Sequence, residues 1–382
     1  MNKYLELMMT HRVDIHGKKM MGWLAPLMLA LTLMVSSCSP ATEGQEGNDA
    51  WVTLTISTGG EAAQAKASDA ASRASGSAAD KDWQVNDLTI YIFDQTGQVI
   101  GSSYASYSIN SQQDITATVK TRKAQNCTVI ALANAGTLSG TYATAQTTSP
   151  FAGVSTLSEF QQKYITFKDM ASLESAPCLL MVGYLTGFDT TSSGSNISLQ
   201  RLASRLDFTI TVMDDKVTGL PIVVDSYQLC HAPRSAFYAP ADMSSTGITL
   251  PSGTSFVEYA ANSTAFNSWT SGSNSQSYTA YVYANPATTA TDATYLLIKA
   301  HSQASNTDTR KIWQSEFKVY LTGITGLAAY QLLPNYHYTI GITVQGSATE
   351  HNGVKTVYTA YPYYSSSLSA WGSNENRDLD MK

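Results

Sequence analysis

Past residue 37 the chain carries four histidines, His231, His301, His337 and His351, and none stands in an H-x-H or H-E-x-x-H arrangement. No two are therefore spaced to share a zinc ion. The cysteines are Cys38, Cys127, Cys178 and Cys230. None has zinc-ligand spacing, and the three left after Cys38 cannot close a complete disulfide framework. Cys127, inside "CTVIALAN", reads as a small buried hydrophobe rather than a reactive thiol. Ser315 and Lys318 spell S-x-x-K, but in a strand that spacing puts them on opposite faces, and the S-D-N and K-T-G companions are missing. Asp214 and Asp215, in "VMDDKVTG", offer adjacent carboxylates that read as a turn between strands rather than a metal pair. There is no G-x-S-x-G elbow, P-loop or dinucleotide fingerprint. These residues predict no catalytic constellation, no cofactor and no metal. The 22 tyrosines suit either a carbohydrate-stacking face or an ordinary half-exposed β-surface, and the second reading is the simpler.

Composition narrows the partners. With residues 1–37 set aside, 19 basic and 27 acidic residues remain, a net charge of −8. No basic stripe interrupts that acidity, which argues against nucleic acid.

The elements that must position any site are strands. In "RLASRLDFTITV", Leu202, Leu206, Phe208, Ile210 and Val212 share one face, opposite Arg205, Asp207, Thr209 and Thr211. In "NYHYTIGITVQ", Tyr336, Tyr338, Ile340, Ile342 and Val344 alternate with His337, Thr339, Gly341 and Thr343, which makes His337 a surface residue. This period of two is that of half-buried strands. "VNDLTIYIFDQTGQVIGSS" predicts a hairpin turning at Asp94–Gly97. "DITATVK", "PIVVDSYQL", "YTAYVYANP", "TYLLIKAHS" and "SEFKVYLTG" add further strands. One helix is predicted in "STLSEFQQKYITF": Thr156 and Glu159 form a capping box, and Leu157, Phe160 and Tyr164 follow at helical spacing. Many strands and one short helix predict an all-β protein of β-sandwiches. Its length past residue 37, about 340 residues, favours two domains.

At the N-terminus, Lys18 and Lys19 precede an apolar run from Leu24 to Val35. The run is too short to span a bilayer comfortably and matches a secretory signal. It ends in Val35-Ser36-Ser37-Cys38, which resembles the lipobox of bacterial lipoproteins. That resemblance implies that Cys38 is lipidated on its sulfur, becomes the mature N-terminus and holds the protein to a membrane.

A strand then stands apart. "WVTLTIS", Trp51–Ser57, places Val52, Leu54 and Ile56 on one face. From Glu61 up to Trp83 the chain runs "EAAQAKASDAASRASGSAAD" and Lys81-Asp82, without an aromatic or branched aliphatic, and predicts a linker. A second break, "DTTSSGSN" at Asp189–Asn196, places a domain boundary close to Arg201. Asn262–Ser277 and Asn285–Ala293 are expected as exposed loops.

"VNDLTIYIFDQTGQVI", "CTVIALANAG", "LLMVGYLTG", "RLASRLDFTITV" and "NYHYTIGITVQG" occur in the order found in Bacteroidales fimbrillins, the subunits of type V pili. From about Trp51 to Trp371 the chain resembles that family. The resemblance implies two transthyretin-like β-sandwich domains in tandem, export as a lipoprotein, and polymerisation by donor-strand exchange. It also implies cleavage after an arginine behind the first strand, which makes Arg73 the expected processing site, with Lys66 a weaker basic candidate upstream of it. The expected organisation is a lipoprotein signal at 1–37, an acidic tether at 38–50 and a removable first strand with linker at 51–82. An N-terminal sandwich at 83–200, holding the helix, and a C-terminal sandwich at 201–382 with a possible donor-strand tail complete it. Pro362 confines its part of that tail to an edge or a bend.

The function implied is a stalk or tip subunit of a cell-surface fimbria, acting in adhesion and not as an enzyme. Its expected partners are other pilus subunits through strand addition, the outer membrane through the lipid on Cys38 before processing, and host or bacterial surface receptors. The alternative is an outer-membrane glycan-binding lipoprotein, which would remain lipidated and monomeric. Such a protein would cluster its tryptophans, whereas Trp51, Trp83, Trp269, Trp313 and Trp371 are scattered. Cys38→Ala is expected to leave the protein unprocessed or released from the outer membrane. Metabolic labelling with a fatty-acid probe checks this, and equal labelling of wild type and variant rules it out.

Overall fold

Strand follows strand wherever apolar residues alternate. The computed structural model describes residues 48–58, 81–111, 113–192, 194–244, 246–321, 330–347 and 354–362. Cys38, Lys66 and Arg73 lie outside the described residues. Nine strands precede residue 202: β1 (Asp49–Ser57), β2 (Val85–Phe93), β3 (Val99–Ile109), β4 (Asp114–Arg122), β5 (Cys127–Ala133), β6 (Tyr164–Thr166), β7 (Met181–Phe188), β8 (Ser195–Ser198) and β9 (Gln200–Arg201). All but β6 build a five-stranded sheet, β3-β2-β5-β7-β9, facing a three-stranded one, β4-β1-β8. Eleven follow: β10 (Ala203–Val212), β11 (Ile222–Cys230), β12 (Ala232–Pro233), β13 (Ser235–Phe237), β14 (Phe256–Val257), β15 (Phe266–Asn267), β16 (Ser275–Tyr283), β17 (Tyr295–Gln303), β18 (Lys311–Tyr320), β19 (Tyr336–Val344) and β20 (Val354–Pro362). Here the main sheets are β16-β10-β19-β20 and β15-β11-β17-β18. The result, over the described residues, is two β-sandwiches in one compact unit.

The sandwiches repeat one plan. In the second, β10 is central, antiparallel to β16 and parallel to β19. In the first, β1 is central, antiparallel to β4 and parallel to β8. The phase read from the sequence is the one observed: Leu206, Phe208, Ile210 and Val212 are buried while Thr209 is exposed. β20 is the edge strand and ends at Pro362, where a missing N–H costs the ladder least. On the polar face Asp207 joins three strands, accepting from Arg205 on β10, Thr279 on β16 and His337 on β19. Burial opposes its charge, but the bonds from His337, Thr279 and Arg205 outweigh it and hold the carboxyl at about 2.

Several expectations are corrected. Three helices, not one, occur among the described residues: Ala135–Thr141, Leu157–Gln161 and Met170–Ser175. Gly136 and Gly140 disguised the first, whose leading amides donate to the Asp87 carboxylate on β2. The capping box of the second is present, with Glu159 N donating to Thr156 and Glu159 accepting from Thr156 N. That helix stops at Gln161, and Tyr164, expected on its apolar face, instead opens β6 and is half exposed. Asp49 and Ala50, expected in the tether, begin β1. Asp82, expected in the linker, is buried, and Arg201, expected in the C-terminal sandwich, pairs with Met181 of the first. Asn285–Ala293 is not simply exposed, because buried Asn285 donates to Asp292 O and Thr294 Oγ1 and accepts from Ala287 N.

Two apolar clusters result. One lies between the two sheets of the first sandwich. The other starts on the far face of the five-stranded sheet, at Phe93, Ile130 and Leu132, takes in the helices and continues through the second sandwich to Ile340 and Val344. Polar ties cross the same junction. β6 pairs with β13, and the Tyr238 hydroxyl bonds that of Ser139. Arg201 N donates to Asn335 Oδ1, and Arg205 of β10 pairs with Asp82, while the buried Arg201 side chain donates to Asp82 O and lies 4.6 Å over the Trp83 ring within the first sandwich.

Glycine closes the first sandwich at both rims. A Cβ on Gly101 of β3 would lie 2.8 Å from the Lys120 carbonyl of β4. One on Gly183 of β7 would lie 2.5 Å from Ile197 Cγ2 and 2.7 Å from the Ser198 carbonyl of β8. Only a residue without a side chain admits these approaches. Gly183→Ala is expected to cost about 1–3 kcal/mol and to speed amide exchange in β8 and β1 before the rest of the molecule. Uniform exchange rates would refute that role. Ile210→Asp, which buries an unpaired carboxylate, is expected to lose more than about 3 kcal/mol and lower Tm markedly, and an unchanged melting curve would show the assigned strand phase to be wrong.

Candidate functional site

The residues with chemical potential do not converge. His337 meets Asp207 and His301 meets Asp225, on different sheets of the second sandwich. Asp215 accepts from Val217 N, Thr218 N and Trp313 Nε1, which hold its carboxyl below the usual range although burial works against them. Asp214 instead accepts from Ser268, so the pair turns away from a common centre. Ser315 and Lys318 sit on β18 at odd spacing, on opposite faces. Cys127, Cys178 and Cys230 are buried free thiols, and burial pushes Cys178 up to about 12 and Cys230 to about 11. Among the described residues no cluster of His, Cys, Asp and Glu is arranged to hold a metal.

What the structure does assemble is a seat for β1. The strand alternates Val52, Leu54 and Ile56 inward, each 0% exposed, with Trp51 and Thr53 outward. On one side all nine residues pair with β4, so that Val52 faces Val119, Leu54 faces Ala117 and Ile56 faces Ile115. On the other side Leu54 to Ser57 pair in parallel with Ser195 to Ser198. Below them lie Leu88, Ile90 and Ile92 of β2, Val129, Ala131 and Ala133 of β5, and Met181 of β7. Burying the three inward side chains contributes on the order of 5 kcal/mol.

The ends of the strand are pinned by backbone. Lys123 N donates to Asn48 O at 2.8 Å, and Leu199 N donates to Ser57 O at 2.9 Å. The Thr58 hydroxyl donates to Gln113 O and accepts from Gln113 N, both at 3.1 Å. The Lys120–Asp49 ion pair at the other end is solvent-exposed on both sides and adds little. Apolar burial and two hydrogen-bonded ladders therefore hold β1, and charge does not.

Sequence reading found β1 and its inward face but missed what surrounds it. β8 begins inside the Ser/Thr/Gly stretch taken as a domain break, and it is what makes β1 a central strand. Lone glycines inside apolar strands were the available signal for the rim contacts of Gly101 and Gly183.

This arrangement is shared with known proteins. Residues 50–201, from within β1 to the end of β9, match the family model described as major fimbrial subunit protein (FimA). No curated protein matches the chain in sequence. Among solved structures, a candidate cell adhesion protein from Parabacteroides distasonis is similar in fold with a TM-score of 0.60 at 17% identity, over 84% of this chain and 99% of that one. A fimbrilin from Porphyromonas gingivalis is similar with a TM-score of 0.53 at 10% identity, over 82% and 98%. A second candidate cell adhesion protein, from Bacteroides eggerthii, gives 0.51 at 16% identity, over 82% and 96%. Residues 50–201 are thus similar to the major fimbrial subunit family, and the β-sandwich fold is the one seen in the solved fimbrilin.

Proposed function

We propose that this chain is a stalk or tip subunit of a cell-surface fimbria, acting in adhesion without catalysis. In this reading it is exported as a lipoprotein through Cys38 and joined to its neighbours by donor-strand exchange at the β1 seat.

One observation carries the reading: β1 is structurally central yet lies far from β2 in sequence. Its counterpart β10 is followed by the next long strand after 9 residues, 213–221, whereas β1 is followed by β2 only after 27, residues 58–84. A strand that completes a sheet needs no such tether. A strand that must be cut free does, because a protease requires exposed chain that is not part of a ladder. Arg73 falls in the interval.

While the tether is intact, β1 fills its seat as an intramolecular ligand at high effective concentration. Cleavage makes that contact bimolecular. Departure of the strand leaves nine pairing positions on β4 and four on β8 unmatched, over an apolar floor. Unpaired strand edges of this kind accept a strand from another chain, with alternate side chains entering pockets. To rebuild both ladders the newcomer runs in the direction of β1, antiparallel to β4 and parallel to β8. Such head-to-tail addition does not close and so gives a filament. Within this chain β20 is already engaged with β19, so a donor arises from residues 363–382 or requires β20 to leave its sheet.

The test is proteolytic. Trypsin trimming of the purified lipid-free chain is expected to convert monomers into ladders of oligomers. Arg73→Ala, or Lys66→Ala with Arg73→Ala where trypsin uses both sites, is expected to prevent that. Trimmed protein that stays monomeric at high concentration, or an Arg73→Ala strain that still builds fimbriae, would count against the reading.

A further inference from the structure

A groove on the first sandwich lies away from the β1 seat, on the opposite face of the five-stranded sheet. It measures about 280 Å³ and runs between the outer face of β2 and β3 and the loop 148–152. Cross-strand register places Thr89 beside Tyr104 and Tyr91 beside Ser102. Ser149 and Phe151 of the loop line the other side.

The floor is fixed. Phe151 is buried and stacks on Phe160 with ring centroids 4.4 Å apart, and Phe160 lies 4.9 Å from Tyr91. The Tyr91 hydroxyl donates to Phe151 O at 3.3 Å, which joins the sheet to the loop. Phe160 is itself held by the capped helix Leu157–Gln161. The wall is an exposed ring. Tyr104 is 55% exposed, and its hydroxyl end rests over Gly136, where a Cβ would come within 3.1 Å of the oxygen.

The lining chemistry selects the ligand. No lining residue carries a charge, although the chain as a whole is acidic. A charged ligand would give up hydration here without meeting a counter-ion. Beside the aromatic surfaces stand hydroxyls of Thr89, Ser102 and Ser149, each able both to donate and to accept. An apolar ring face next to paired donor–acceptor groups matches a sugar ring, which offers C–H groups on its face and hydroxyls at its edge. The volume lies at the small end of ligand sites, which suits a mono- or disaccharide.

The geometry points to a neutral-saccharide site, with one ring stacked on Tyr104 and its hydroxyls directed at Thr89, Ser102 and Ser149. The site is independent of strand exchange, because neither β1 nor β8 lines it. It would give a surface subunit a glycan contact of its own.

The purified full chain is titrated with lactose, N-acetyllactosamine and maltotriose, with sialyllactose as the charged control, and binding is read by saturation-transfer NMR and calorimetry. Saturable binding of at least one neutral sugar is expected, with sialyllactose weaker than lactose. Tyr104→Ala is expected to weaken the sugar about tenfold at unchanged Tm. Ser149→Lys, which sets a long cation at the mouth, is expected to weaken it comparably. Ser106→Ala, on β3 but outside the groove, is expected to bind as wild type. Absence of saturable binding by every neutral sugar overturns the proposal. So does binding that survives both Tyr104→Ala and Ser149→Lys, preference for sialyllactose, or displacement of the sugar by a proline-rich peptide that binds more tightly at Tyr104.

Discussion

One whole sheet of the first sandwich, the face opposite the helices, depends on one strand between two others. β4 and β8 do not pair with each other, and their only common neighbour is β1. The three inward residues of β1 cover the same apolar floor that Ile115, Ala117, Val119 and Ile197 cover from either side. Nothing else in that sheet substitutes for it, because the ladders on both sides end on its backbone. A strand in this position is a stabilising element while present and a high-energy vacancy when absent.

The other constraint is that the five-stranded sheet has two apolar faces and spends them on separate clusters. β2 and β5 send Leu88, Ile90, Val129 and Ala131 towards β1, and Phe93, Ile130 and Leu132 towards the helices and the second sandwich. The larger cluster, the β6–β13 pair and the junction of Arg201 with Asp82 and Trp83 do not involve β1. Change at the β1 seat is therefore buffered. The sheet that floors the seat is clamped from behind by contacts in which β1 takes no part.

Electrostatics plays a small role in either feature. The ion pair beside β1 is exposed, and the groove beside Tyr104 has no charge in its lining. The strong polar contacts are internal instead: Asp87 on the leading amides of a short helix, and Asp207 across β10, β16 and β19. A carboxylate held at about 2 remains charged through the acid range, and its contribution disappears only as pH falls through that value. Hydrophobic alternation sets the fold, while Asp87 caps a short helix and half-buried Asp207 ties three neighbouring strands together.

The sequence by itself determined the strands and their faces, because side chains alternate with a period of two and each half-buried strand records its own inward side. Val52, Leu54 and Ile56, the β10 and β19 faces, the hairpin at Asp94–Gly97 and the Thr156–Glu159 capping box were all legible for that reason. Strand order was not, since pairing joins residues far apart in the chain. That Leu54 lies between Ala117 and Ser195 is a fact about three distant segments, and the third hides in a run of Ser, Thr and Gly that locally reads as a break. The short helices were obscured for a related reason. Gly136 and Gly140 are poor helix formers, and that helix starts because Asp87, almost fifty residues earlier, accepts its first amides. The second helix ended early because Tyr164 and its neighbours found a partner in β13 of the other sandwich. Only the tertiary structure decided these points, because a ladder bond or a cap from a distant residue outweighs local preference and leaves no periodic trace in the segment it captures.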